Sequence, residues 1–112
     1  MPVMNMKATR QRLMQKAILN KIERDHLSID TDAVRQSLET IRRNASRDPL
    51  MTSYLDWWEQ IIRNSDIETL RSLVQSDDET GNDMRSLSPL YVLLTEPERL
   101  QVIDDLRTTI LA

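Results

Sequence analysis

A chain of 112 residues carrying a formal charge of −3 has room for a single domain with one modest core. Its lack of cysteine excludes disulfide frameworks, thiolate metal sites and cysteine nucleophiles, and fits a reducing compartment. Charges start at Lys7 and recur so often that no apolar stretch reaches the length of a secretion signal or a membrane span; a cytoplasmic chain with no membrane association is expected.

With one glycine and few β-branched runs, the sequence reads as helix almost throughout. Leu13, Met14, Ala17, Ile18 and Ile22 recur at helical spacing and predict a first helix from Met6 to Arg24, with Asn5 as its N-cap. Residues 1–24 hold six Lys/Arg against one acid, Glu23, so this helix is expected to be partly detachable, as a basic arm. A connector over Asp25–Asp30 contains the sole histidine, His26. The second helix runs from Thr31 to Ala45, capped by Asp30 and striped by Val34, Leu38 and Ile41.

Asp48-Pro49 is a cap followed by proline in the first turn, and opens a third helix that continues to Arg63. Met51, Tyr54, Leu55, Trp58, Ile61 and Ile62 form its buried side. A tight Asn64-Ser65 joint follows, with Ser65 and Glu68 read as a capping box for a fourth helix bearing Ile67, Leu70, Leu73 and Val74. Residues 76–86 are polar and include Gly81, which predicts an acidic mobile loop or a frayed turn. Ser88-Pro89 starts a short segment through Leu94 that is apolar nearly all round and is expected to be the buried central helix. A subunit interface is its other reading.

Thr95-Glu96-Pro97-Glu98 forms a second capping box, opening a last helix to Ile110. Leu100, Val102, Ile103, Leu106, Ile110 and Leu111 supply its apolar side. The fold class that follows is all-α, a compact irregular or orthogonal bundle of five to six short helices in one domain. Its core is led by Tyr54, Trp58, Leu70, Leu73, Leu90, Leu94, Ile103 and Leu106.

No motif in this pattern carries catalysis. His26 has no second histidine or cysteine to complete a metal or acid–base site. An EF-hand aligned on Gly81 places Ser76, Asp78 and Thr80 at ligand positions but Leu87 where the closing glutamate belongs, so it fails. Asp56 with Glu59, and Asp104 with Asp105, are carboxylate pairs without an apolar pocket to separate their acidities. A helix-turn-helix over helices three and four would present Asp66 and Glu68, with Arg71 its one base, to the phosphate backbone. Neither an enzyme, a cofactor nor a small-molecule substrate is expected.

Interaction is the remaining class. Residues 1–50 carry ten Lys/Arg against six acids, and residues 51–112 five against twelve. Such halves neutralise one another on packing, or present two surfaces to partners. Trp57 stands about 100° from Trp58 around the third helix, at the flank, where it covers the core edge or anchors a partner. The candidate contact residues are therefore Trp57, the basic Arg10, Arg12 and Lys16, and the acidic Asp77, Asp78, Glu79 and Asp83. A non-catalytic regulatory protein is expected, of the antitoxin, immunity, adaptor or phage-regulator kind, with another protein or a second copy as partner. The alternative is a nucleic-acid-binding transcriptional regulator using the basic first helix.

Overall fold

The computed structural model describes residues 6–45 and 47–111, with the side chains of 109–111 excepted. Among these residues the chain forms six α-helices: α1 (Met6–Asp25), α2 (Asp32–Asn44), α3 (Pro49–Arg63), α4 (Ile67–Gln75), α5 (Glu79–Ser86) and α6 (Glu96–Leu111). A 3-10 turn, Pro89–Leu93, separates the last two, and no strand occurs among the described residues. The all-α irregular bundle expected from the sequence is what forms. The proposed Asn5 cap and the Ile110 and Leu111 side chains lie outside the described residues.

Helix α1 is docked along its length and is not a loose arm. It packs against α4, α5, α6 and the 3-10 turn, burying Met14, Gln15, Ile18, Leu19 and Ile22. It ends at His26, whose φ of 54° is the left-handed conformation common after a helix. The next amide, Leu27 N–H, donates to Ile22 O at 3.1 Å. His26 is exposed and serves a backbone role.

Several helix starts differ from the sequence reading. Thr31, rather than Asp30, caps α2 by accepting from Val34 N–H, and Asp30 instead pairs with Arg35. At α4 the cap is Asp66, whose two carboxylate oxygens accept from Thr69 N–H at 3.1 Å and Thr69 Oγ1–H at 2.6 Å. Ser65 (φ 47°) is engaged in ending α3, where Ser65 N–H donates to Ile62 O and Asp66 N–H to Ile61 O. A residue turned to close one helix cannot also cap the next, so no Ser65–Glu68 box forms. The second box does form: Thr95 N–H donates to Glu98 Oε1 at 2.8 Å.

The polar stretch 76–86 is not a loop. Asp78 Oδ1 accepts from Gly81 N–H at 2.7 Å and starts α5 one turn after α4 ends. Gly81 is buried in this junction: a Cβ there would lie 2.6 Å from Ser76 Oγ. The sole glycine therefore allows two helix ends to meet, rather than loosening the chain.

Trp58 is the centre of the core, fully buried, with its indole N–H donating to Met84 O at 2.9 Å. Leu55, Ile61, Ile62, Leu70, Leu73, Val74, Leu90 and Leu94 belong to the same buried cluster, while Tyr54 and Ile103 are half-buried against it. The segment after Ser88 contributes Pro89, Leu90 and Leu94 to this core but leaves Val92 exposed. Five residues of 3-10 geometry cannot bury all sides. Leu100 is also exposed, because it lies about 160° around α6 from the inward-facing Val102.

Candidate functional site

The predicted contact residues divide into those used inside the fold and those left outside. Arg12 belongs to the first group. Its guanidinium donates to Val74 O (3.3 Å), Gln75 O (3.1 Å) and Ser76 O (3.0 Å), the carbonyls left open at the end of α4, and it pairs with Asp77. Arg85, absent from the sequence list, meets the same helix end from the other side. Only 2 % exposed, it donates to Leu73 O at 2.6 Å, Ser76 O at 2.7 Å and the Asn82 side chain. Burial lowers the proton affinity of the Arg85 guanidinium, and nearby Arg12 adds to the effect.

Asp78 is likewise occupied, as the α5 cap. Its carboxyl is held below the usual range by the hydrogen bond from Ser76 Oγ–H and then by Gly81 N–H. Lys21 shows the same internal use, donating to Leu93 O at 2.7 Å and to Glu98 at 2.6 Å. The hydrogen bond from Lys21, with Thr95 N–H beside it, lowers the Glu98 pKa to about 2.

Trp57 and Asp83 line a seam along α3 and α5 that α4 borders at one end, while Glu79 is exposed and lines neither of its grooves. At one end lies a groove of about 210 Å³ lined by Asp48, Leu50, Met51, Tyr54, Asp83, Ser86 and Leu87. One helical turn further along α3 lies a second, of about 270 Å³, formed by Trp57, Thr69, Ser72, Leu73, Ser76, Asp78, Thr80 and Gly81. Leu50 is 55 % exposed and Trp57 36 %. Their seven-residue separation corresponds to about 10 Å of helix. The buried Trp58–Met84 hydrogen bond ties α3 to α5 in the core. No lysine or arginine lines either groove.

Two other grooves carry mixed charge. The one between α2 and α3 (about 360 Å³) contains Asp30, Arg35, Glu39, Arg42, Glu59 and Arg63, several of them paired with each other. The other, about 560 Å³, brings the predicted Arg10 together with Tyr91, Val92, Glu96, Arg99 and Ile103. Lys16 is exposed and lines none of these grooves.

Among the described residues no group of three His, Asp or Glu side chains is placed to hold a metal ion, and no helix is long and apolar enough to cross a membrane. Comparison with protein-family models, with curated proteins and with solved structures found no match to this chain.

Proposed function

We propose that this chain is a non-catalytic interaction protein that works by surface complementarity, with the α3–α5 seam as its docking surface. The observation that carries the proposal is a large aromatic and a leucine, Trp57 and Leu50, left exposed on α3, which the Trp58–Met84 hydrogen bond ties to α5. Tryptophan in such a setting supplies much binding energy at little entropic cost, and is enriched among interface hot spots. Antitoxin, immunity, adaptor and phage-regulator proteins all act in this manner. With no cysteine in its sequence, the chain suits the cytoplasm.

Against a nucleic-acid arm stands the internal use of Arg12 and Lys21, which removes two cations from the one basic helix. The proposal is tested by using the full chain as bait in lysate of its source cells, then rebuilding the captured pair from purified components. Trp57→Ala and Leu50→Ser are each expected to weaken the rebuilt complex at least about tenfold. A complex indifferent to both changes would remove this surface from the function.

A further inference from the structure

Granted the docking surface proposed above, we infer that its occupant is a cationic amphipathic helix belonging to a different protein. Charge comes first. The two grooves are lined by Asp48, Asp78 and Asp83, with no lysine or arginine in either lining, and the exposed Glu79 follows Asp78 in sequence. Residues 48–87 hold nine acids and three arginines. All three arginines are engaged: Arg63 with Glu59, Arg71 with Glu23 and Glu68, and Arg85 in the interior. From outside the stretch Arg12 pairs with Asp77 and Arg42 with Asp56 and Glu59, so the excess of acid at the seam sits on Asp83 and on Asp78-Glu79. The field over the seam is therefore negative, and it favours lysine and arginine on an incoming partner.

Shape selects a helix. Every element bordering the seam is helical, so no open sheet edge exists to which an extended peptide would add main-chain hydrogen bonds. The two grooves lie on successive stretches of α3, at Leu50–Tyr54 and at Trp57. Apolar anchors two turns apart on one helix face, at i and i+7, match that interval of about 10 Å.

The same charges disfavour the other occupants. A second copy docking through this face by two-fold symmetry would set Asp48 and Asp83 against their own counterparts. Nucleic acid and anionic membrane are repelled for the same reason.

The test uses the full chain, labelled with nitrogen-15, and two helical peptides of about 18 residues. Both peptides carry leucine at i, i+4, i+7 and i+11; one has lysine on its flanks and the other glutamate. The lysine peptide is expected to shift the Trp57 indole signal and the backbone signals of α3 and α5, while the signals of α2 and α6 stay in place. Its affinity should fall with added salt and drop about tenfold in Asp83→Lys and in Leu50→Ser. The Trp58 indole signal reports that each variant is folded.

Equal binding of the glutamate peptide at the same signals overturns the cationic assignment but keeps the face as a docking surface. Peptide shifts confined to α2 or α6, or none with either peptide at millimolar concentration, overturn the inference. A Trp57 signal that moves with protein concentration alone overturns it too, since a second copy is then the occupant. The docking surface itself fails separately, when the rebuilt complex ignores both Trp57→Ala and Leu50→Ser.

Discussion

The end of α4 and the seam between α3 and α5 are neighbours of opposite character. At the end of α4, two arginines, two aspartates, a serine and an asparagine engage one another and the open carbonyls, and little polar capacity remains for a partner. In the seam, the apolar Leu50 and Trp57 are exposed, and Asp48 and Asp83 line the first groove with no lysine or arginine in its lining. The second groove shares Ser76 and Asp78 with the α4 end. Both regions are rich in charge in the sequence. A charged residue indicates function only after helix ends have claimed the charges they need.

The contrast breaks most easily on its inner side. Arg85→Ala removes the donors to Leu73 O and Ser76 O inside the core, and is expected to cost about 3 kcal/mol in urea unfolding. Gly81→Ala comes next, at about 2 kcal/mol, because its Cβ would press on Ser76 Oγ and on Ser76 Cβ, 2.6 and 2.7 Å away. Ser76→Gly in the same chain should recover much of that loss. If Gly81→Ala instead stabilises, as a glycine-to-alanine change does inside an ordinary helix, the two helix ends are not in contact.

A pH effect follows at Lys21–Glu98. The Glu98 pKa, lowered to about 2 in the folded chain, lies below its ordinary 4.5, so the pair's contribution is complete above pH 4.5. It is lost as pH falls through about 2. Wild type should thus exceed Glu98→Gln in denaturant midpoint at neutral pH, and the gap should close on acidification. A gap independent of pH would show that Glu98 gains nothing from its charge. The smallest effect belongs to the seam: Leu50→Ser should leave stability within about 0.5 kcal/mol of wild type, as expected of a side chain that supports no packing.

Much of the fold was legible in periodicity and caps. The stripes on α2, α3 and α4, the Asp48-Pro49 start and the Thr95–Glu98 box all form as the residues imply. What could not be read was which long side chain reaches which helix end. Arg12 crosses 62 positions to bond Val74 O, and no local pattern encodes that pairing. The basic look of α1 therefore suggested an arm where tertiary contacts make a central helix. Residues 76–86 looked like a loop because their helix is short and held by one cap and three packed neighbours, α1, α3 and α4, not by an apolar stripe. For the candidate site, the 100° step from Trp58 was enough to place Trp57 on a flank. Leu50 falls outside the buried stripe that begins at Met51, and nothing local marks a single apolar residue off the stripe as part of a surface.

One experiment bears most directly on this division. A soluble gadolinium chelate, added to the dilute and unpartnered chain, broadens signals according to their access to solvent. Uncovered, the Trp57 indole should broaden strongly, while that of Trp58, fully buried, should hardly change. Equal protection of both signals would show that the Trp57 face is already covered, and would contradict the account.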